Sequence, residues 1–418
     1  MRARSRGLTI LRSAALPVSF AGSSFAYYCL MSTFMSYWHD VLSVPAALSS
    51  SILAGYVLTA RLSKVPLGPL IDRISLRRGM QIAALAAALC FALLSVPGLF
   101  VTKVVALCAA GIPISSIVLL TQAVAARSAQ SSARKVLAAD FSIIYWIMSC
   151  MSLLAPFYGF FLLRNGSGAL YLSLCVLYMA LFCVAGWLDP APPPLQQTPH
   201  RITANLIQNI PEQLRQPSYR KFLTLYVIGW FLCSQLFSTL PLFAERTLGG
   251  TSGLPWLFAV DSLATVALQR WISRHLTPQA ARPLFAATFL TFAAAFALLS
   301  VGTGIVGLAT GVLAFSCAKM LFFPGTDGLS ARLAKRQQFA TGFGLMSVAA
   351  AAGDSAGTAW GVRGYEALRV SGYGRAYFLI VASCAALIGL VVLLTTLRRR
   401  AVEYDGDLIS TQHDSERP

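Results

Sequence analysis

The sequence predicts an all-α integral membrane protein with twelve transmembrane helices, on the evidence of its composition and its long apolar runs. Of the 418 residues, 56% are hydrophobic and only 11% are charged. A soluble protein carries roughly 25% charged residues, so this chain cannot cover an ordinary globular surface. The apolar runs reach about twenty residues, the length of a membrane-spanning helix and about twice that of a transmembrane strand. These observations exclude a soluble enzyme, a secreted disulfide-rich protein and a disordered regulator.

The predicted spans follow one another through short connections, except after the sixth. The first follows a basic segment and has no small-residue cleavage site, so we interpret it as an uncleaved helix. The twelve spans are predicted at 14–38, 46–71, 79–97, 104–126, 137–163, 168–188, 220–243, 254–271, 284–301, 304–329, 340–361 and 376–397.

The long connection 189–219 divides the chain into two six-helix halves, 14–188 and 220–397. It opens with the proline-rich stretch Asp189–Pro194, which favours an extended backbone. It continues with Ile202–Leu214, whose apolar residues share one helical face, as is typical of a helix on a membrane surface. A polar linker between two sets of six spans is the layout of a two-half transporter.

Lysine and arginine residues predict the orientation in the membrane. Alternate connections, together with the N-terminal segment 1–13 and the tail 398–418, hold 24 of these residues, and the opposite connections hold six. Basic residues concentrate on the cytoplasmic side, so both termini are predicted in the cytoplasm of a cell whose cytoplasmic (inner) membrane holds the protein. The net charge of +18 is explained by this asymmetry, and no nucleic-acid partner is predicted.

The nine cysteines and four histidines do not form a metal-binding pattern. The cysteines lie singly in apolar segments without a CxxC pair, and the histidines are scattered along the chain. We therefore predict no metal and no cofactor.

The segment between the second and third spans carries a motif, Gly68-Pro-Leu-Ile-Asp72-Arg73-Ile-Ser75-Leu-Arg-Arg78. It resembles the signature loop of the major facilitator superfamily, in residue order, in spacing and in its position after span two. The resemblance implies that superfamily's fold and a conformational latch between the two halves. The latch residues are Gly68, Asp72, Arg73, Arg77 and Arg78.

Three departures from the family pattern are visible. Ser75 stands where the family usually has glycine, and the equivalent loop of the second half, 269–274, lacks both the glycine and the aspartate. Span five contains Ala155-Pro156-Phe157-Tyr158-Gly159, which resembles an altered form of the element that marks the drug–proton antiporter branch. This similarity implies efflux by antiport.

Charged residues inside the spans are the candidate functional groups, because ionisable groups are costly at bilayer depth. We predict that Asp354, assisted by Asp261, exchanges a proton, and that Arg61 and Lys319 bind the negative charge of a substrate. Two alternatives remain open. Arg61 and Asp354 can form a structural ion pair between spans two and eleven, and Asp261 can be a solvated vestibule residue.

Aromatic residues add a candidate binding wall. The resemblance implies that spans one, four, seven and ten line the central cavity, and span one contributes Tyr27. Tyr226, Trp230 and Phe237 of span seven recur at helical spacing on one face. The alternative for these residues is an ordinary packing stripe.

Together these features predict a monomeric secondary active transporter that exports a small organic solute in exchange for protons. The excess of basic residues within the spans favours an anionic substrate, such as a carboxylate siderophore. The alternatives are multidrug efflux of hydrophobic cations, proton-coupled import, and a non-transporting membrane receptor or sensor on the same fold. The absence of a GxxxxGK[ST] loop argues against ATP as the energy source on this chain.

The orientation is testable by labelling of single cysteines in a cysteine-free variant. We expect a membrane-impermeant maleimide to label Ser371→Cys in intact cells, and Gln196→Cys only after permeabilisation, because the basic connections stay in the cytoplasm. Labelling of Gln196→Cys but not Ser371→Cys in intact cells would contradict the orientation.

Overall fold

The computed structural model describes residues 2–71, 74–131, 137–165, 167–188, 214–275, 281–333 and 339–415. The described part is helical apart from turns and short connections, and it contains all twelve predicted spans. Most of the linker, including the predicted surface helix, lies outside the described residues.

Six spans form the N-terminal half. Their bounds are Arg2–Met35 for span one, Ala46–Leu62 and Lys64–Ile71 for span two, Leu76–Ser95 for span three, Phe100–Ser131 for span four, Leu137–Asn165 for span five and Ser167–Ala185 for span six.

The C-terminal half repeats this arrangement. Its bounds are Pro217–Ser234 and Thr239–Leu248 for span seven, Leu254–His275 for span eight, Ala281–Val301 for span nine, Gly304–Leu333 for span ten, Phe339–Val370 for span eleven and Gly374–Ser415 for span twelve.

Helix packing shows that the two halves are structural repeats. Within the first half, span three packs on spans four and six, span one on span five, and span two on span four. The same pairs recur six spans later. Span nine packs on spans ten and twelve, span seven on span eleven, and span eight on span ten. The halves meet where span two packs along span eleven and span five along span eight. This is the repeat architecture of transporters whose substrate site lies between two halves.

Spans two and seven are both interrupted, and a proline explains each break. A proline removes one backbone donor and its ring clashes with the carbonyl four residues earlier. In span two, Pro66 follows a break at Ser63. In span seven, Pro241 follows a turn at 235–238 that is closed by bonds from each residue to the third or fourth residue before it. Each sequence-predicted single helix is therefore two helical pieces.

Gln235 holds the turn in span seven to its neighbours. Its side-chain amide donates to the carbonyl oxygen of Gly357 in span eleven at 3.0 Å. Its Oε1 accepts from Thr239 Oγ1 at 2.7 Å and from Tyr377 Oη of span twelve at 2.9 Å. Gln235 is 1% exposed, so this polar group is buried with its hydrogen bonds satisfied.

Ten helices of the described part are long and apolar enough to cross a membrane. Span two is not among them, since its longer piece has only 17 residues. Span eleven is not among them either, and it carries four charged residues, Asp354, Arg363, Glu366 and Arg369. These two spans pack along each other, which is where charges inside a membrane protein can be accommodated.

Outward-facing apolar side chains complete the picture of an integral membrane protein. Spans three, six, nine and twelve expose large hydrophobic residues that a bilayer would cover. Examples are Leu89 at 59%, Val176 at 61%, Val301 at 70% and Leu387 at 64% exposure. The predicted fold class, twelve transmembrane helices in two six-helix halves, is confirmed.

A glycine lets spans seven and eleven approach closely. A Cβ atom at Gly353 would meet the carbonyl oxygen of Val227, and it would lie 2.9 Å from Cβ of Trp230. The absence of a side chain at this position therefore sets the position of Trp230 in the middle of the bundle.

We expect Gly353→Ala to lower the melting temperature of the purified protein by about 3 °C or more, because the new methyl group collides with backbone. Gly374→Ala is the control, since its nearest neighbour, Cβ of Arg369, lies at an ordinary 3.5 Å. Equal melting temperatures for the two variants would show that spans seven and eleven can accommodate the methyl group without a loss of stability.

Candidate functional site

A buried ion pair joins the two halves in the middle of the bundle. Arg61 of span two donates to Oδ2 of Asp354 in span eleven, through Nη2 at 2.8 Å and through Nε at 2.9 Å. The two side chains are 19% and 10% exposed. Breaking a buried pair by removing one partner costs about 3–5 kcal/mol, because the remaining charge is left without compensation. The pair is therefore a strong contact between the halves.

Trp230 of span seven provides the third contact of Arg61. The guanidinium carbon lies 3.7 Å from the centroid of the indole ring. A cation over an aromatic face is attracted by the ring quadrupole, and more strongly where water is excluded. Arg61 is thus held by one residue of span eleven and one of span seven.

A second ion pair lies within the C-terminal half. Lys319 Nζ of span ten is 2.7 Å from Asp261 Oδ2 of span eight, and Ser316 Oγ donates to Asp261 Oδ1 at 2.6 Å. Asp261 is only 6% exposed. Asp261 is therefore buried here, whereas the sequence analysis left open a solvated vestibule position for it.

Cys233 lies between the two ion pairs. Its buried thiol interacts electrostatically with Lys319, Asp354, Arg61 and Asp261. The four charged residues predicted from the sequence are therefore grouped around a single position of span seven.

The structure shows both cations already neutralised. The sequence predicted Arg61 and Lys319 as groups that hold a substrate, and Asp354 and Asp261 as proton carriers. In this conformation each cation binds one of the aspartates instead. The ion pair between spans two and eleven, the alternative left open for Arg61 and Asp354, is present.

Tyr27, Tyr226 and Trp230 lie at this cluster, as the binding-wall hypothesis requires. Tyr27 interacts electrostatically with Arg61 and Asp354, and Tyr226 with Arg61. Tyr226 also stacks on Phe322 of span ten, with ring centroids 5.5 Å apart.

Phe237 lies just beyond the helical piece that carries Tyr226 and Trp230, in the turn 235–238. Its ring stacks on Phe258 of span eight at 5.6 Å and lies 6.4 Å from the ring of Tyr28.

Sequence reasoning missed the hydroxyl of Tyr56 near Arg61. This hydroxyl, like Nε1 of Trp230, is buried without a hydrogen-bond partner among the described residues. Tyr56 is fully buried and interacts electrostatically with Arg61 and Tyr27. Its position five residues before Arg61 on an apolar helix gives no sequence signal for this role. Such unsatisfied groups call for an explanation, and a ligand is one.

Contacts between spans two and eleven continue from the central pair toward the ends that the sequence predicts to be external. Ser355 Oγ donates to the carbonyl oxygen of Ala54 at 3.2 Å, and Arg363 Nη2 donates to Ser51 Oγ at 3.0 Å. We call this end of the bundle the predicted external end.

Spans five and eight make matching contacts. Ser152 Oγ lies 2.8 Å from Ser262 Oγ, and the rings of Phe157 and Trp256 are 5.1 Å apart. Together with the pairs above, these contacts hold the two halves together from the middle of the bundle to the predicted external end.

The predicted latch is described only in part. Asp72 and Arg73 lie outside the described residues, and Gly68 belongs to the short helix Lys64–Ile71. Arg77 and Arg78 are exposed at the start of span three. Ser75, which replaces the usual glycine, caps this helix by accepting a bond from the Arg78 amide at 3.4 Å.

The central ion pair gives a direct test by substitution. We expect Asp354→Asn and Arg61→Gln each to lower the free energy of unfolding by about 3–5 kcal/mol, because each leaves a buried charge alone. The double variant should recover most of this loss. Thermal denaturation of the purified protein measures all three.

Arg363→Gln is the matched control, because its exposed side chain on the same span makes one bond to Ser51. Its effect should stay below about 1 kcal/mol. Additive losses in the double variant would show that the two charges are not energetically coupled.

Comparisons with known proteins agree with this geometry. A family model described as Major Facilitator Superfamily matches residues 18–358. No curated protein matches the sequence.

Solved structures of similar fold include a POT family transporter in complex with 5-aminolevulinic acid, at a TM-score of 0.78 and 14% identity, with 94% of this chain and 96% of that chain covered. A peptide transporter POT in complex with sulfate has a TM-score of 0.78 and 17% identity, over 92% and 94% of the chains. A bacterial homologue of the human drug peptide transporters PepT1 and PepT2 has a TM-score of 0.75 and 14% identity, over 94% and 99%. At these identities the structures establish the fold, and the family match spans most of the sequence. The chain therefore belongs to the Major Facilitator Superfamily, as a membrane transporter of the secondary type.

Proposed function

We propose that this transporter couples protons to the movement of a small organic solute that carries a carboxylate or a similar anionic group. The observation that carries the proposal is the central cluster, in which two buried cations are each neutralised by an aspartate. In this proposal the protein acts as a monomer in the cytoplasmic membrane, with both termini in the cytoplasm.

The chemistry of the Arg61–Asp354 pair supports the coupling. A guanidinium group stays protonated in proteins, so a buried Arg61 always requires a counter-charge. Burial favours the neutral form of a carboxyl group, so Asp354 can take up a proton when its partner is drawn away. Either Asp354 or a substrate anion then neutralises Arg61. Proton binding and anion binding therefore favour each other, as linkage requires.

The unsatisfied donors beside Arg61 support an anionic substrate. An anionic group that replaced Asp354 could also accept hydrogen bonds from the hydroxyl of Tyr56 and from Nε1 of Trp230. Charged hydrogen-bond acceptors bind such donors more strongly than neutral ones. Lys319 can release Asp261 and bind a second negative group in the same way.

The central pair also connects substrate binding to movement of the two halves. Arg61 belongs to the first half, and Asp354 and Trp230 belong to the second. A substrate that takes the place of Asp354 changes the contact between halves at their midpoint. A ligand shifts a conformational equilibrium only by such differential contacts.

Import is the direction that the structural likeness favours. Two of the similar solved structures hold 5-aminolevulinic acid and a thioalcohol-conjugated peptide, and the proposed substrate class of this chain includes small molecules with a carboxylate. Efflux of hydrophobic cations fits the site less well, because both aspartates of the cluster are already paired with cations.

Export by antiport is the second candidate, and the segment 155–159 of span five favours it. Gly159 lets span five approach span one, since a Cβ there would lie 2.7 Å from Thr33 and 2.9 Å from Cys29. The drug–proton antiporter branch and a carboxylate siderophore as substrate stay predictions.

Transport in proteoliposomes tests the proposal. With an imposed pH gradient, we expect saturable uptake of at least one solute among 5-aminolevulinic acid, a dipeptide and citrate, together with proton movement reported by an internal pH dye. A non-transporting receptor would bind a solute without flux. The sign of the gradient that drives accumulation distinguishes import from export.

Asp354→Asn separates coupling from binding in the same assay. An asparagine imitates the protonated residue, so this variant should still exchange solute across the membrane. The accumulation driven by the pH gradient should be at least tenfold lower than in the parent. Arg363→Gln again serves as the control. Proton-driven accumulation at the parental level in Asp354→Asn would reject Asp354 as the coupling residue.

A further inference from the structure

Two carboxylic acids from opposite halves meet at the predicted external end, outside the central cluster. Asp40 lies in the π-helical turn Ser36–Val41 that ends span one, and Glu245 lies in the outer piece of span seven. Their carboxyl groups are in hydrogen-bonding contact. Both acids line an open cleft, together with His39 and Arg246. The transport chemistry proposed above uses neither acid.

A hydrogen bond between two carboxyl groups requires a proton. When both groups are ionised, only negative oxygen atoms face each other, and the contact becomes repulsive. A single shared proton converts the same contact into an attractive one. Two carboxyl groups held this close at Asp40 and Glu245 are therefore stabilised when the pair binds one proton.

The neighbouring charges do not remove this requirement. Arg246 interacts with Asp40 and Glu245, but it is also 3.2 Å from Glu366 of span eleven. Arg369 compensates Glu366 at 2.6 Å. Arg246 is thus shared with Glu366, and no arginine is paired with the Asp40–Glu245 pair alone.

His39 is the remaining titratable group that faces the pair. It interacts electrostatically with both acids. Its Nδ1 lies 3.0 Å from the carbonyl oxygen of Val44, so this nitrogen is the donor of that bond. A protonated His39 would stabilise ionised carboxylates, and the test must separate its titration from that of the pair.

The two acids belong to different halves and to separate helical pieces. The outer piece of span seven, Thr239–Leu248, is separated from the inner piece by the turn 235–238. Asp40 belongs to the other half of the molecule. Opening of the predicted external end therefore separates Asp40 from Glu245.

We propose that the Asp40–Glu245 pair is a proton-dependent clasp that holds the external end of the transporter closed. A proton bound from the outside stabilises the closed arrangement, and loss of that proton favours opening. The clasp requires two halves that move apart, as in the proposed function. It does not depend on the identity of the substrate or on coupling through Asp354.

The test measures the distance across the clasp without any substrate. Nitroxide labels on Val41→Cys and Ser252→Cys, in a cysteine-free variant in nanodiscs, report the closed and open populations by pulsed electron paramagnetic resonance. Both native side chains are exposed, so the labels disturb little. For the parent we expect the closed population to fall at least twofold when the pH rises from about 5 to about 8.

Substitutions at Asp40 make the test specific. In Asp40→Asn an amide can donate to the Glu245 carboxylate without a shared proton, and in Asp40→Lys an ion pair replaces the clasp. Both variants should stay closed at either pH. His39→Gln should keep the pH response of the parent.

Three outcomes would overturn the proposal. A pH-independent distance in the parent would contradict the proposed clasp. An unchanged pH response in Asp40→Asn would contradict it as well. A response that disappears in His39→Gln would assign the titration to the histidine. Failure of proton-driven transport in proteoliposomes would reject the proposed function but would leave this distance measurement unaffected.

Discussion

The need of Arg61 for a counter-charge is the constraint on which the centre of this transporter depends. Arg61 comes from one half, while its carboxylate partner Asp354 and its aromatic partner Trp230 come from the other. A guanidinium group at this depth cannot lose its proton at any accessible pH. A negative group is therefore required at this point, and in this conformation Asp354 supplies it.

The helix packing around this cluster follows from the same requirement. Gly353 brings span eleven close to span seven, so that Trp230 and Asp354 reach Arg61 from neighbouring helices. The second pair, Lys319 with Asp261, is completed by Ser316 one turn earlier on span ten. Cys233 lies within electrostatic range of all four charges, so the two ion pairs belong to one cluster.

The two interrupted spans connect the cluster to the ends of the bundle. The break near Ser63 lies two residues after Arg61, and the turn 235–238 lies two residues after Cys233. A helix that is broken beside a buried charge can change direction there without disturbing the rest of its length. Gln235 limits this freedom in span seven by bonds to spans eleven and twelve. The outer piece of span seven, with Glu245, is thus set off by a turn and tethered at that turn.

The sequence by itself determined the fold class, the number of spans, the division into halves and the identity of the four central charges. Composition and apolar run length are local properties, and an ionisable residue within an apolar run is conspicuous without any structure. Only the tertiary structure decided how those charges pair, because Arg61 and Asp354 are 293 residues apart and no pattern in one chain specifies a partner at that distance. It also decided that Phe237 lies in a turn and not in the helix of Trp230, since that helix is interrupted ahead of Pro241. The buried hydroxyl of Tyr56 and the meeting of Asp40 with Glu245 likewise arise from the approach of distant helices, which a one-dimensional pattern does not contain.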